Sequence, residues 1–273
     1  MQQTIDGLRL AYDDAGSGDA LVLLHGFPLD RTIWDVQFAA LAQRCRVIRV
    51  DARGSGESEC GAGPALMETL AGDLYGLLDA LDVGRAIVAG HSMGGYIALA
   101  FFRMYAERVA GLALIASRAG ADPPERRAER DALIAAIEAR GIDPVVERYV
   151  RAFAGASPQF ADRIRTVVGR QSAVGAIAQI IGMKERVGSE DVLEDILVPA
   201  TIVAGASDAS IPIELLARTA AAIADCEFVR LAGVGHLPML EAPEATTAAL
   251  ERLIARCTLS AAADPRSVRA TRA

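Results

Sequence analysis

Short apolar runs alternate along this chain with longer segments in which apolar residues recur at helical spacing. The short runs have strand length and are mostly apolar throughout, and they span 20–24, 47–50, 86–89, 109–116, 201–204 and 227–231. The longer segments span 33–42, 64–81, 93–105, 211–223 and 243–257. Buried strands that alternate with helices form a parallel sheet covered on both faces, so the pattern predicts an α/β fold.

The N-terminal residues add a different element. Two short strand patterns, 2–5 and 8–14, flank Asp6-Gly7, and this dipeptide favours the tight turn of a β-hairpin. With the runs above, we therefore expect a mostly parallel sheet of eight strands that begins with an antiparallel hairpin and carries helices on both faces.

The alternation of strands and helices stops between residues 118 and 195. Pro123-Pro124 opens this stretch, which has no strand pattern but has helical patterns at 125–139, 144–153, 161–170 and 173–186. We expect a helical lid at 118–195, inserted into a core formed by 1–117 and 196–257. The final residues lack an apolar pattern, so a disordered tail is predicted at 258–273.

Length and charge exclude several classes of function. The chain has 273 residues, of which 52% are apolar, enough for one large core with an inserted subdomain. It carries 28 basic and 35 acidic residues, a net charge of −7, and so has no overall attraction for nucleic acid or anionic lipid. The uncharged run 86–102 contains a histidine, a serine and three glycines, which indicates a strand, a sharp turn and a helix. We therefore expect neither nucleic acid nor a membrane as a partner.

The cysteines and the N-terminus bear on location and cofactors. The four cysteines are far apart and form no C-x-x-C pair, so neither a zinc ribbon nor a dithiol redox centre is indicated. Free thiols, and an N-terminus without the basic and apolar stretches of a secretory signal, favour the cytoplasm. The glycines at 51–58 match no nucleotide-binding pattern, and we expect neither a metal nor another cofactor.

The candidate chemistry centres on Ser92. The segment 90–94, Gly-His-Ser-Met-Gly, fits G-x-S-x-G at the junction of a buried strand pattern and an apolar helix pattern. A serine on such a turn has a strained backbone, and the small residues two positions before and after it let the chain fold back closely. Patterns of this length also occur by chance, so the assignment of Ser92 as a nucleophile depends on partners elsewhere in the chain.

A serine hydroxyl needs a base, and the chain has three histidines. His236 follows the last strand pattern, in a loop that opens at the carboxyl edge of the sheet, where Ser92 is expected. Asp208 follows the strand pattern 201–204 and is the candidate acid that orients the base, with Asp122 as the alternative. The order Ser92, Asp208, His236 is the order of nucleophile, acid and base associated with a serine on this kind of turn.

Two backbone amides are candidates to stabilise an oxyanion. The N–H of Met93 lies at the start of the helix that follows Ser92, where the helix dipole also favours negative charge. The second donor is the N–H of Phe27 in the segment 25–28 (HGFP), which ends the first parallel strand pattern. His25 itself is interpreted as a structural residue that hydrogen-bonds neighbouring loops.

Five segments together resemble the α/β-hydrolase superfamily: HGFP at 25–28, DARGSGES at 51–58, GHSMGG at 90–95, GASDASIP at 205–212 and GVGHLPMLEAP at 233–243. The resemblance covers nearly the whole chain outside the lid and implies the α/β-hydrolase fold. The short lid and the run 117–122 are similar to small esterases and 3-oxoadipate enol-lactonases. In that superfamily Asp51 and Arg53 are usually scaffold charges. Its dehalogenases and epoxide hydrolases have an aspartate where Ser92 stands, so the resemblance implies acyl transfer.

The predicted function is that of a serine hydrolase that cleaves carboxylic esters or lactones through an acyl-enzyme on Ser92, with a small molecule as its partner. Four other activities stay open: hydrolysis of an enol-lactone of the 3-oxoadipate type, cofactor-free perhydrolysis or haloperoxidation, hydrolysis of a carbon–carbon bond, and ligand reception by a hydrolase-like protein. Arg118, directly after a strand pattern, is the candidate to bind the carboxylate of an acidic lactone. The sequence indicates no oligomeric state.

Overall fold

The structure, a computed structural model, describes residues 1–154 and 158–263. Within these ranges eight strands form one sheet: β1 (Gln2–Ile5), β2 (Leu8–Ala15), β3 (Ala20–Leu24), β4 (Arg46–Val50), β5 (Ala86–His91), β6 (Val109–Ile115), β7 (Ala200–Gly205) and β8 (Cys226–Leu231). Strands β3, β5 and β7 are buried at every residue, as their uninterrupted apolar sequences require.

The strand order across the sheet is β1-β2-β4-β3-β5-β6-β7-β8. β1 and β2 pair antiparallel about Asp6-Gly7, where both residues have positive φ, and β2 pairs antiparallel with β4. The remaining neighbours pair in parallel, so the loops after β3, β5, β6, β7 and β8 open at one edge of the sheet. The predicted α/β class, the eight strands and the antiparallel start are confirmed.

The α-helices of the described ranges are α1 (Asp35–Leu41), α2 (Met67–Ala80), α3 (Met93–Tyr105), α4 (Pro124–Arg140), α5 (Asp143–Ala154), α6 (Ala161–Gly169), α7 (Ala173–Glu185), α8 (Ile213–Ala221), α9 (Pro238–Glu241) and α10 (Pro243–Ala263). α3 packs on β3, β5 and β6 and against α2, whereas α10 packs on β6 and β7 and against α1. Helices α4 to α7 lie between β6 and β7, within residues 118–195, which we call the lid segment.

Helix α3 begins and ends where the sequence predicts, whereas several other helices, α1 and α10 among them, differ from their predicted ranges. The pattern 33–42 divides into a 3-10 turn and α1, because the side chain of Asp30 accepts the amide of Thr32 and caps the turn. α10 continues to Ala263, so the tail predicted to start at 258 is helical to that point. Residues 264–273 lie outside the described residues. In the part of the chain that is described, no helix is long and apolar enough to cross a membrane.

The loop after β4 joins the core to the lid segment. Asp51 is buried, and its carboxylate accepts hydrogen bonds from neighbouring backbone and side-chain donors. Arg53 donates to Asp73 at 2.6 Å. From the lid segment, Gln179 of α7 donates to the backbone oxygen of Arg53 at 2.9 Å and to the hydroxyl of Ser55 at 2.7 Å. These contacts give Asp51 and Arg53 a scaffold role and fix α7 to the core.

Four charged side chains meet where the lid segment leaves the core: Asp122, Arg118, Arg130 and Arg186, which we call the lid-base cluster. Arg118 and Arg130 donate to different oxygens of Asp122, and a nitrogen of Arg186 lies 3.6 Å from it. Burial alone would raise the pKa of the Asp122 carboxyl, but the surrounding guanidinium groups hold this pKa below its usual value. One buried carboxylate thus links the start of the lid segment to α4 and to the residue that follows α7.

Replacing Asp122 by asparagine should destabilise the fold strongly. The variant leaves three guanidinium groups around a neutral amide, and removal of one partner of a buried ion pair costs about 3–5 kcal/mol of unfolding free energy. Because the folded-state pKa of Asp122 is lowered, the stability it contributes is fully present above the unfolded-state pKa of about 3.9 and is lost as the pH falls through the folded-state pKa. Urea unfolding of both proteins in neutral and in strongly acidic buffer checks this, and equal stability in neutral buffer would contradict it.

Candidate active site

Ser92 lies on the turn between β5 and α3. Its φ of 50° and ψ of −112° are strained for a residue with a side chain. The turn packs backbone against backbone: a Cβ atom added to Gly90 would lie 2.1 Å from the backbone oxygen of Gly94, and one added to Gly94 would lie 2.4 Å from that of Leu24. These two positions therefore accept only glycine, in agreement with the sequence pattern.

The structure brings Ser92, His236 and Asp208 together in one hydrogen-bonded array. Nε2 of His236 lies 3.1 Å from Oγ of Ser92, and Nδ1 of the same ring lies 2.7 Å from Oδ2 of Asp208. Oδ1 of Asp208 accepts hydrogen bonds from the amides of Ser210 and Ile211. The three members of the array come from the ends of β5, β8 and β7, which open at the same edge of the sheet.

The Asp208 carboxylate determines which nitrogen of His236 carries the proton. Burial would raise the pKa of Asp208, but the hydrogen bonds from His236 and from two backbone amides hold this pKa below its usual value. The ionised carboxylate accepts the proton on Nδ1, so Nε2 presents its lone pair to the hydroxyl of Ser92. This arrangement is suited to removing the hydroxyl proton while Oγ attacks an electrophile.

The other candidate side chains lie outside the array. Nε2 of His25 accepts a hydrogen bond from the backbone amide of Ala52 at 3.0 Å, which fits the structural role predicted for His25. Nε2 of His91 donates to the backbone oxygen of His236 at 2.8 Å. Asp122, the alternative acid, is enclosed with Arg118 in the lid-base cluster. Across residues 1–154 and 158–263, no group of three or more His, Cys, Asp or Glu side chains is arranged to hold a metal ion.

The backbones of Phe27 and Met93 lie next to Ser92. Met93 is the first residue of α3 and follows Ser92 directly. The loop after β3 approaches so closely that a Cβ atom added to Gly26 would lie 3.0 Å from Cβ of Ser92, and Phe27 is the next residue along. The segments that carry both predicted oxyanion donors therefore lie beside the hydroxyl-bearing turn, together with the N-terminal end of the α3 dipole.

A row of aromatic rings from the lid segment packs over His236. Phe153 of α5 stacks on the ring of His236, with ring centroids 5.5 Å apart and planes 19° apart. Tyr149, one helical turn earlier, contacts both Phe153, at 5.3 Å between centroids, and Phe27, at 5.4 Å. The sequence signal for this row is the spacing of two aromatics in the helix pattern 144–153, but the pattern alone does not identify which face of a lid helix meets the core.

Comparison with known proteins agrees with the fold. The model of the alpha/beta hydrolase family matches residues 21–250. Among curated proteins, the chain is similar to the dihydrolipoyllysine-residue acetyltransferase component of the acetoin cleaving system from Pseudomonas putida. The two are 32% identical over 247 residues, which is 88% of this chain and 65% of that protein. The chain spans a smaller share of further curated relatives.

Two solved structures share the architecture over almost the entire chain. A thermophilic esterase from Thermogutta terrifontis, solved with malate bound, has 35% identity and a TM-score of 0.90, with 94% of this chain and 99% of that chain covered. The enol-lactonase from Burkholderia xenovorans has 26% identity and a TM-score of 0.86, with 93% and 100% covered. These neighbours support hydrolase function, and the family match over most of the chain shows that it belongs to the alpha/beta hydrolase family.

Proposed function

We propose that this hydrolase cleaves carboxylic esters or lactones through an acyl-enzyme on Ser92. The observation that carries the proposal is the pair of contacts of His236, whose Nε2 lies 3.1 Å from Oγ of Ser92 and whose Nδ1 lies 2.7 Å from the carboxylate of Asp208. Similarity to an esterase and to an enol-lactonase, each over more than nine tenths of the chain, supports the same class of reaction.

In the acylation half of the cycle, Oγ of Ser92 attacks the carbonyl carbon while Nε2 of His236 takes the hydroxyl proton. The ionised Asp208 stabilises the imidazolium that forms. The bond from the carbonyl carbon to the leaving oxygen then breaks, His236 gives its proton to that oxygen, and the acyl group stays on Ser92 as an ester. In a lactone the leaving oxygen remains attached to the acyl chain.

In the deacylation half, water takes the place of the serine hydroxyl. His236 removes a proton from the water as its oxygen attacks the acyl carbon, and then returns a proton to Oγ of Ser92, which releases the acid. In both halves the amides of Phe27 and Met93 stabilise the negative charge on the carbonyl oxygen. Each donor of this kind typically stabilises the transition state by about 3 kcal/mol.

We further propose that the enzyme acts in the cytoplasm on a small molecule. All four cysteines are free in the structure, and a reducing compartment keeps thiols in this state. The nucleophile, the base and the oxyanion donors of the proposed cycle are all groups of the chain, so the cycle requires no cofactor.

Replacing Ser92 by alanine should abolish ester hydrolysis. The Ser92→Ala variant lacks the nucleophile, and kcat for p-nitrophenyl acetate should fall by a factor on the order of 10⁴–10⁶, the range measured for loss of single members of such an array. The matched control is Ser17→Ala, in an exposed loop, which should keep wild-type turnover. Turnover by Ser92→Ala close to that of the wild type would overturn the proposal.

The excess of positive charge in the lid-base cluster supports an acidic ester or lactone as substrate. Three guanidinium groups share one carboxylate, and the side chains of Arg118, Arg130 and Arg186 are 12%, 10% and 3% exposed, so buried positive charge is in excess. Nε of Arg118 is buried with no hydrogen-bond partner in the described part of the chain. The residue before it, Ser117, donates to the backbone oxygen of Ser92 at 2.8 Å, so Arg118 directly follows a residue that contacts the turn carrying Ser92. We therefore propose that Arg118 attracts a substrate carboxylate.

Replacing Arg118 by alanine should separate acidic from neutral substrates. We expect the KM of Arg118→Ala to rise roughly 10- to 100-fold for a lactone with a free carboxylate, as for loss of a charge-assisted hydrogen bond, and to stay unchanged for the methyl ester of the same compound. Steady-state kinetics with this substrate pair checks the expectation. Arg170→Ala, an exposed cation of the lid segment, is the control. An equal change in KM for both substrates would count against a carboxylate contact.

A further inference from the structure

The backbone around His236 is held by three hydrogen bonds that do not belong to the Ser92–His236–Asp208 array. The carboxylate of Glu241 accepts hydrogen bonds from the backbone amides on both sides of the histidine. Oε2 accepts one from Gly235 and Oε1 accepts one from Leu237, each at 2.8 Å. Nε2 of His91 donates to the backbone oxygen of His236 itself, also at 2.8 Å. Two side chains therefore fix the peptide groups on both sides of the ring that contacts Ser92.

The position of His236 in the sheet explains why such anchors are needed. His236 follows β8, whereas Ser92 follows β5, and β6 and β7 lie between these two strands. Neighbouring strands are about 4.8 Å apart, so the loop carries His236 roughly 14 Å along the sheet edge to reach Ser92. Two of the residues before His236 are glycines, and Gly233 has a φ of 72°, so the loop backbone has wide conformational freedom of its own. Its course is restricted by hydrogen bonds from outside the loop.

His91 links the turn that carries Ser92 to the loop that carries His236. It precedes Ser92 directly, is fully buried, and its ring centroid lies 5.0 Å from that of His236. Burial, followed by the nearby His236, lowers the pKa of His91 to about 3, so the ring is neutral at physiological pH and carries one N–H. That N–H is on Nε2, which faces a carbonyl oxygen, while Nδ1 is buried without a partner in the described part of the chain and packs against Gly26.

Glu241 closes the other side of the loop. It is the last residue of the short helix α9. Its carboxylate turns back to the amides of Gly235 and Leu237, which directly precede that helix. Both carboxylate oxygens are used as acceptors. A glutamine at this position has a single amide oxygen and offers an N–H group in place of the second acceptor, so it keeps at most one of the two bonds.

We propose that His91 and Glu241 are positioning residues that set the distance between Nε2 of His236 and Oγ of Ser92. The inference rests on the proposed function, since it concerns the base of that cycle. Neither side chain contacts the substrate in this proposal; both act through the backbone of His236. Displacement of a catalytic group by about 1 Å costs a factor on the order of 10² in rate, so loss of either anchor lowers kcat and leaves substrate binding intact.

The test compares side chains that keep or lose the required group in the full-length protein. His91→Leu removes the donor, whereas His91→Gln keeps an N–H near the position of Nε2. We expect kcat for p-nitrophenyl acetate to fall roughly 10- to 100-fold in His91→Leu and in Glu241→Gln, with KM within about twofold of wild type, and His91→Gln to recover most of the loss. The control is Thr219→Val, which removes a hydrogen bond of 3.0 Å from a buried hydroxyl to the backbone oxygen of Leu215. This bond lies within α8, a helix that carries none of the three hydrogen bonds around His236.

A double variant separates positioning from a general effect on folding. In a His236→Ala background there is no imidazole to position, so adding His91→Leu should leave the residual rate unchanged. Three results would overturn the inference: the same fold-loss from His91→Leu in both backgrounds, a loss of similar size in Thr219→Val, or wild-type kcat in both His91→Leu and Glu241→Gln. Because Glu241 is only partly buried whereas His91 is fully buried, Glu241→Gln tests the inference even if His91→Leu fails to fold. If activity depends on Ser92 but not on His91 or Glu241, the positioning inference is wrong and the proposed function stands. Turnover by Ser92→Ala refutes the proposed function.

Discussion

Close backbone packing around Ser92 is the constraint on which the rest of the site depends. A non-glycine residue with positive φ costs about 1–3 kcal/mol, and it persists where its surroundings determine it fully. Here the amide of Ser92 donates to the backbone oxygen of Ile115 at 2.9 Å, and the hydroxyl of Ser117 donates to the backbone oxygen of Ser92 at 2.8 Å. Both contacts come from β6 and the residues after it, so the buried centre of the sheet holds the strained turn in place.

The strand order explains how His236 and Asp208, on different loops, come to lie side by side. β7 and β8 are adjacent, so Asp208 and His236 emerge side by side, and their 2.7 Å contact requires only a short reach. Ser92 emerges from β5, and the imidazole has to cross the ends of two strands to meet it. Orientation of the ring by Asp208 and placement of the backbone by neighbouring residues are therefore separate tasks. The Asp208 carboxylate, hydrogen-bonded to Nδ1, orients and polarises the imidazole. The loop backbone determines the position of the Cα atom from which the imidazole extends.

The sequence predicts the parts of this protein that depend on local pattern and on strand ends. Apolar runs and helical periodicity located the strands and α3, and the residues just after strand patterns, Ser92, Asp208 and His236, meet at one edge because parallel strands share their carboxyl ends. The contacts of Phe153 and Glu241 could not be predicted in this way. The orientation of a lid helix depends on packing between segments far apart in sequence, and α9 is too short to give a periodic signal.

The lid segment brings two opposite environments to the site, and Tyr149 lies between them. On one side its ring contacts Phe153, which covers His236; on the other, Arg130 of the lid-base cluster is near enough to affect its titration. Burial raises the pKa of Tyr149, so its phenol stays neutral beside these cations. Aromatic cover removes water from around the imidazole, and in such a medium the attraction between the imidazolium and Asp208 is stronger than in water. The same low polarity strengthens the field of the arginines, so aromatic cover over His236 also favours the carboxylate contact proposed for Arg118.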